Sequence, residues 1–198
     1  ASVVVPDARQ WLGRVAARWF GDPSHRLGLG GVTGTNGKTT TTHLIRAIFD
    51  AAGRRTGLLG TVRYAIGDEI RAATHTTPDA ETLQALLAEM VDRGVTDAVM
   101  EVSSHALAQD RTAGCAFDVG VFTNLTQDHL DFHGTMEAYA AAKRRLFEHL
   151  GEPNPKSRPT RAVINRDDPW WETMARASRA PVWTYGLTAE ADVHPESV

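Results

Sequence analysis

Short apolar runs alternate along the chain with longer stretches in which apolar residues recur every three or four positions. The short runs, bounded by glycine, proline or polar residues, predict buried strands over 27–32, 56–64, 95–102, 119–123, 161–165 and 182–185. Helical spacing predicts a helix capped by Asp7 and running to about Phe20, with Trp11, Val15 and Trp19 on one face. A second helix follows Lys38-Thr39, with Leu44, Ile45, Ile48, Phe49 and Ala52 recurring, and Gly53 stops it. Thr77-Pro78-Asp79 opens a third, whose stripe is Leu83, Leu86, Leu87, Met90 and Val91 and which Gly94 ends. Further helices are predicted over 135–150 and 169–179, a hairpin turn at Gly67-Asp68 returning through Ile70, and a solvated loop over 151–160.

Strands alternating with helices predict an α/β fold with a doubly wound, mostly parallel sheet. In such sheets ligands collect beyond the carboxyl ends of the strands. Three polar clusters fall at those ends: the glycine-rich stretch after residue 32, Glu101-Val102-Ser103-Ser104-His105, and Asn124 to His133. That coincidence predicts one shared site.

The first cluster reads Gly30-Gly31-Val32-Thr33-Gly34-Thr35-Asn36-Gly37-Lys38-Thr39-Thr40. A strand, a glycine-rich turn, a lysine and a hydroxyl residue opening a helix make a phosphate cradle. Backbone N–H groups turn inward, the helix N-terminus favours an anion, Lys38 reaches terminal phosphates and Thr39 can ligate Mg²⁺. The strict P-loop spacing would place glycine at Val32; the motif here is G-x-x-G-x-x-G-K-T from Gly31. An ordinary strand-to-helix turn is the alternative.

Glu101 closes an apolar strand, as a solvated rim carboxylate or as an oxygen ligand for the Mg²⁺ of a nucleotide. Asn124 to His133 holds Asp128, Asp131, His129 and His133 without cysteine or an H-E-x-x-H pattern, which speaks against zinc. It suits a second-metal or phosphate-facing loop with His129 as the preferred ligand, although residue chemistry does not separate His129 from His133. Lys143 interrupts the stripe of Met136, Tyr139, Ala140, Leu146, Phe147 and Leu150, whereas Arg144 and Arg145 fall on the exposed side. Lys143 either snorkels to water or is desolvated and neutral, and a neutral amine can capture CO₂ as a carbamate.

Composition narrows the classes. The formal net charge of −3 over 198 residues gives no electrostatic case for nucleic acid or an anionic membrane. No apolar run reaches spanning length, no signal peptide opens the chain, and the single Cys115 reads as a small buried thiol in a reducing compartment. A soluble cytoplasmic protein is expected.

G-V-T-G-T-N-G-K-T-T-T, H-T-T-P, E-V-S-S-H-A-L, T-N-L-T-Q-D-H-L-D-F-H-G-T, Y-A-A-A-K and I-N-R-D-D-P stand here in the order and spacing of the Mur ligase family, which the chain resembles over almost its whole length. The branch it resembles adds the third peptide residue of bacterial peptidoglycan precursors, in the cytoplasm. The resemblance implies that Gly34, Thr35, Asn36, Gly37, Lys38, Thr39 and Thr40 bind ATP. It implies that Thr39 and Glu101 serve a first Mg²⁺, and that His129 serves a second together with Lys143 as a carbamate. His75, Thr76, Thr77, Ser103, Gln109 and Arg111 match positions that hold the UDP-muramoyl dipeptide; His75 stands where some members have asparagine.

The implied reaction activates the D-glutamate side-chain carboxylate of UDP-N-acetylmuramoyl-L-alanyl-D-glutamate as an acyl phosphate, for attack by meso-diaminopimelate or L-lysine. Residues 1–26 are expected to be a linker and helix from an N-terminal domain, and 27–198 an ATP-binding central domain incomplete at its C-terminal end. On that reading the chain is a truncated, monomeric ATPase module unable to finish ligation alone. Ligases resembling folylpolyglutamate synthase or cyanophycin synthetase, and a nucleotide-binding fragment without catalysis, are the alternatives.

Overall fold

A computed structural model describes residues 4–151 and 155–197. One eight-stranded sheet runs through it in the order β4-β3-β2-β5-β1-β6-β7-β8. The strands are β1 (Gly28–Thr33), β2 (Thr56–Leu59), β3 (Arg63–Ile66), β4 (Glu69–Ala72), β5 (Asp97–Glu101), β6 (Val119–Phe122), β7 (Arg161–Asn165) and β8 (Val182–Tyr185). All pairings from β2 across to β8 are parallel, and β3 and β4 extend the β2 edge as an antiparallel meander. The expected doubly wound sheet is therefore present. From β1 the chain winds first to the β2 and β5 side and then crosses to β6. The ends of β5, β1 and β6 thus stand side by side at the topological switch point.

Helices α1 (Ala8–Trp19), α2 (Lys38–Ala51), α3 (Ala80–Asp92), α4 (Ser104–Ala108), α5 (Leu130–His133), α6 (Met136–Glu148) and α7 (Trp171–Ala177) cover the sheet unequally. The larger core lies on the face of α3, α6 and α7, where Leu83, Leu87, Met90, Leu146, Phe147 and Met174 meet Leu29, Met100, Phe122 and Ile164. The thinner core, under α2, is Val32, Leu58, Ala65, Val99 and Val121 with Ile45 against it. Caps sit where the residue types require them: Asp7, Asp79, Ser103 and Thr135 each accept from a backbone N–H in the first turn of the following helix.

The structure corrects several expectations. In α1 the buried positions are Gly13, Ala16 and Ala17, while Trp11, Val15 and Trp19 face outward, Trp19 at 83% exposure. Small residues let α1 lie close: a Cβ on Gly13 would fall 2.5 Å from the Ala113 carbonyl oxygen. In α2, Leu44 and Ile48 are exposed, because the buried Thr42 and the packed Ile45 face the sheet. The strand expected over 56–64 is two strands, since the chain reverses at Gly60, where a Cβ would lie 2.4 Å from Glu101 Oε1. The turn at Gly67-Asp68 stands as expected.

The loop expected over 151–160 is only partly solvated, and its residues 152–154 lie outside the described residues. Lys156 reaches inward, its side chain 1% exposed, to donate to Asp118 Oδ2 at 2.7 Å and to the Ala116 carbonyl at 2.7 Å. Arg145 is also not simply exposed; it donates to the Leu107 carbonyl and to Asp110. Cys115 is only part-buried, not fully buried as expected; it accepts from Gln84 Nε2, and desolvation pushes its thiol up to about 12, as fits an inert sulfur. Among the described residues no helix is long and apolar enough to cross a membrane.

Candidate active site

β1 ends at Thr33, and the loop from Gly34 to Gly37 turns the chain into α2. Val32 is fully buried and pairs with Glu101 in register, so the position where a strict P-loop has glycine is here a strand residue. Gly34 is indispensable for close approach: at φ 154° its hydrogen faces Thr123, and a Cβ would lie 1.8 Å from Thr123 Oγ1. Loop and β6 extension are laced together. Thr35 N–H donates to the Asn124 carbonyl, Asn36 N–H to Asn124 Oδ1, and Thr123 Oγ1 to the Asn36 carbonyl. The I-N-R-D-D-P segment supports the lacing from outside, because Asp168 accepts from Leu125 N–H and Asn165 donates to the Thr123 carbonyl. Gly34→Ala is expected to cost about 1–3 kcal/mol, the range for forced overpacking, and to weaken nucleotide binding. Thermal unfolding with an ATP titration checks both.

The loop faces a cleft of about 430 Å³. Thr35 to Thr40, His75, Thr76, Thr77, Glu101, Ser103, Arg111 and His129 line it, and so do His105, which the sequence placed in a cluster at the site without a role, and Thr61, which sequence reasoning missed. Thr61 was hidden inside a stretch read as one strand. Gly34, Gln109 and Lys143 do not line the cleft.

Glu101 is 1% exposed, so the rim-carboxylate reading is excluded. It accepts from Thr39 Oγ1 at 2.9 Å, from Thr61 N–H at 2.9 Å and from Thr61 Oγ1 at 3.0 Å. All three donors are neutral. A buried carboxylate beside a phosphate cradle, solvated by hydroxyl and amide dipoles and bonded to no cationic side chain, is a hard-oxygen site suited to Mg²⁺. Among the described residues no group of three or more His, Cys, Asp or Glu side chains could hold a metal. A cation here would therefore draw on Thr39, Glu101, phosphate oxygens and water, the partial protein shell common for Mg²⁺.

Two lysines meet beneath the loop. Lys38 Nζ donates to the Gly34 and Thr35 carbonyls, both at 2.8 Å; burial lowers its pKa, opposed by Glu101 and Asp128. Lys143 does not snorkel: it is 1% exposed, donates to the Gly34 carbonyl at 2.8 Å, and lies 4.5 Å from the centre of the Tyr139 ring. Desolvation, with Lys38 adding repulsion and Asp128 opposing, lowers it to about 7. A substantial neutral fraction at neutral pH follows. Tyr139 ties the arrangement together, its hydroxyl 3.2 Å from Thr35 Oγ1.

The two histidines left unresolved by sequence now differ. His129 lines the cleft from a left-handed backbone position, φ 51°, with Asp128 beside it. His133 is turned away, bonded through Nε2 to Ser104 Oγ at 2.9 Å and stacked on Tyr139. His105 packs edge-on to His129 at 4.9 Å and against Phe132 at 4.2 Å. Burial lowers both His105 and His133, favouring neutral rings.

The opposite wall is built by Thr77, whose Oγ1 donates to the Glu101 carbonyl and accepts from Ser103 N–H. Arg111 donates through Nε to Gln109 Oε1 and through Nη1 to the Thr77 carbonyl, which presents a guanidinium to the cleft.

Residues 32–198 match the family described as Mur ligase middle domain. UDP-N-acetylmuramoyl-L-alanyl-D-glutamate--2,6-diaminopimelate ligase of Geobacillus thermodenitrificans is 52% identical over 196 residues, 99% of this chain and 40% of the relative. The ligase of the same description from Gloeobacter violaceus is 52% identical over 97% of this chain and 38% of its own length. A solved structure of a ligase with that description superposes with TM-score 0.83 at 37% identity, covering 96% of this chain and 39% of that one. Folylpolyglutamate synthase of Mycobacterium tuberculosis, solved with ADP and AMPPCP, shares the fold at TM-score 0.67 and 20% identity, over 89% of this chain and 47% of that one. The chain thus spans about 40% of the length of the curated relatives it matches. By the extent of the match from Val32 onward, it belongs to the Mur ligase family, as a middle domain.

Proposed function

We propose that this chain is the ATP-activating module of an amide ligase that extends UDP-N-acetylmuramoyl-L-alanyl-D-glutamate by a diamino acid. The observation that carries the reading is the buried Glu101 carboxylate bonded to Thr39, the hydroxyl residue that follows Lys38 at the start of α2. Residues 27–198 form the nucleotide-binding body, with Gly34 to Thr40 around the phosphates. Thr39 and Glu101 would hold one Mg²⁺; His129 and Lys143, as a carbamate, would serve a second. Bound there, Mg²⁺ neutralises negative charge on the phosphoryl oxygens.

The residues of the chain then divide the work. Backbone N–H groups of the loop and Lys38 hold the terminal phosphates and stabilise charge on the transferring group. Arg111, with Thr76, Thr77, Ser103 and His75 around it, orients the anionic dipeptide so that its D-glutamate side-chain carboxylate faces the γ-phosphorus. An oxygen of that carboxylate bonds to phosphorus as the bond to the β,γ-bridging oxygen breaks, giving an acyl phosphate and ADP. The amine of the diamino acid next attacks the acyl carbon; phosphate leaves, the nitrogen loses a proton, and the amide remains. The relatives' names favour 2,6-diaminopimelate over lysine as the amine.

Lys143 suits carbamate formation because a neutral amine attacks CO₂ and releases one proton, and burial gives this amine a substantial neutral fraction near pH 7. The burial of the amine against the loop, beside Tyr139, supports the reading.

Coupled ADP release is the test, with UDP-N-acetylmuramoyl-L-alanyl-D-glutamate and 2,6-diaminopimelate as substrates. The complete polypeptide carrying this sequence is expected to release ADP only when the dipeptide is present. ADP release supported by a folate or a cyanophycin primer, and not by the muramoyl dipeptide, would reject the substrate assignment. The 198 residues alone are expected to bind Mg·ATP without sustained turnover.

A further inference from the structure

α4 carries the substrate wall, yet it is a single short helix of 5 residues. A helix of that length does not hold itself in water, so its position must come from its neighbours. Ser104 at its start is tied to His133. Its far end runs into the turn Gln109-Asp110-Arg111, where Asp110 adopts the left-handed conformation, φ 55°, which Asp and Asn tolerate better than other L-residues. Backbone bonds close the turn, Asp110 N–H to the Leu107 carbonyl and Arg111 N–H to the Ala106 carbonyl, and Arg145 of α6 braces it from outside. One guanidinium nitrogen donates to the Leu107 carbonyl at 2.7 Å, adding a charged donor to a carbonyl that also accepts from Asp110 N–H, and the other donates to Asp110 Oδ1. Both partners are largely withdrawn from water, with Asp110 at 13% and Arg145 at 31% side-chain exposure. Arg111, the next residue, then folds back onto Gln109 and the Thr77 carbonyl.

We propose that Arg145 and Asp110 are a positioning pair that fixes the Gln109–Arg111 turn and thereby sets how well the cleft holds its anionic, non-nucleotide substrate. This rests on Arg111 facing that substrate, as proposed above. α6 becomes a strut with two ends of use: Lys143 meets the phosphate loop, and Arg145, two residues on, meets the substrate wall. The pair therefore separates the two ligands, since its bonds go to the turn that carries Arg111 and none goes to the phosphate loop. A cavity of about 230 Å³ borders both residues, so shorter or apolar replacements are accommodated without overpacking.

Arg145→Met, Asp110→Ala and Asp110→Asn test this by calorimetry in the complete polypeptide, with UDP-N-acetylmuramoyl-L-alanyl-D-glutamate and Mg·ATP titrated separately. Arg145→Met and Asp110→Ala are expected to weaken dipeptide binding about tenfold, the worth of one charge-assisted hydrogen bond, and to leave Mg·ATP within about twofold. Asp110→Asn keeps an acceptor oxygen and tolerates the left-handed backbone, so it stays within about threefold of the parent. An NMR measurement of the Arg111 Nε–H supplies a readout free of substrate: its exchange with water is expected to quicken in Arg145→Met. Parallel loss of both ligands would mark a general folding defect and overturn the proposal. Dipeptide affinity or an Arg111 resonance unmoved by Arg145→Met would overturn it as well. If the parent protein itself does not bind the dipeptide, the substrate reading fails, and the Arg111 resonance alone decides whether the pair positions the turn.

Discussion

Lys38→Ala is expected to lower the affinity of the chain for Mg·ATP by about 10- to 100-fold, the equivalent of one charge-assisted contact to phosphate. The expectation follows from where the ammonium stands. It is held at the cleft by the Gly34 and Thr35 carbonyls, within the loop whose N–H groups face the same space. Both contacts are to neutral carbonyls, so a phosphate oxygen offers the ammonium a stronger partner, and the Gly34 carbonyl keeps Lys143 as a donor. The effect on catalysis should exceed the effect on binding. Charge on the γ-phosphoryl group redistributes in the transition state, and a preorganised cation in a partly desolvated site acts most strongly there. In the complete polypeptide a loss in kcat of about 10²-fold or more is therefore expected. Calorimetry on the chain and ADP release on the complete polypeptide separate the two numbers. Unchanged affinity in Lys38→Ala would reject the phosphate cradle, because among the described residues the other cation bonded to the loop, Lys143, does not line the cleft. Thermal unfolding should move little, since Lys38 anchors no element of the core.

Much of this site was legible in the sequence because its chemistry is local. Gly34 to Thr40 is one contiguous turn, and strand, turn and helix can each be recognised from spacing alone. Lys143 was legible for the opposite reason, as a cation where an apolar residue belonged in a stripe, and the structure decides between its two readings by burying it. Long-range hydrogen bonding was not legible. Thr61 reaches Glu101 across 40 positions, and Asp168 reaches Leu125 across 43, partnerships no periodicity encodes. The faces of α1 and α2 were misjudged because periodicity names an apolar stripe but not the side that meets the sheet. In both helices small or hydroxyl residues, Ala16, Ala17 and Thr42, take the tight interface, and the large side chains point away. Choosing between His129 and His133 also required three dimensions. Both belong to one short segment, and only the Ser104 hydroxyl, brought in by α4, shows which of them is already engaged.

Lys143→Met is expected to stabilise the fold while disabling ligation, and pH separates the two effects. In the unfolded chain the amine titrates at the ordinary lysine value of 10.5, and in the fold at about 7. Between those values the unfolded chain binds the extra proton, so this group makes stability rise with pH from about 7 towards 10.5. Below about 7 both states are protonated, the slope vanishes, and the full penalty of a buried ammonium remains. Methionine removes that penalty and keeps the volume. The Gly34 carbonyl it deserts still accepts from Lys38. The variant should therefore be more stable at pH 6 by about 1–3 kcal/mol, within the range for replacing buried charge by apolar side chains, and the gain should shrink as pH rises towards 10. Urea unfolding at stepped pH measures it. A variant less stable at every pH by a constant amount would show that the amine is a net structural contact and not a tolerated cost. Bicarbonate provides the link to function. CO₂ captured by the folded amine alone stabilises the parent chain by mass action and adds the mass of one CO₂, and neither change is available to methionine. In the complete polypeptide the same substitution is expected to lower kcat by about 10²-fold or more, since an ionic group beside the transferring phosphoryl is lost. A residue that destabilises its fold and yet is required for turnover is the signature of a site that trades stability for chemistry.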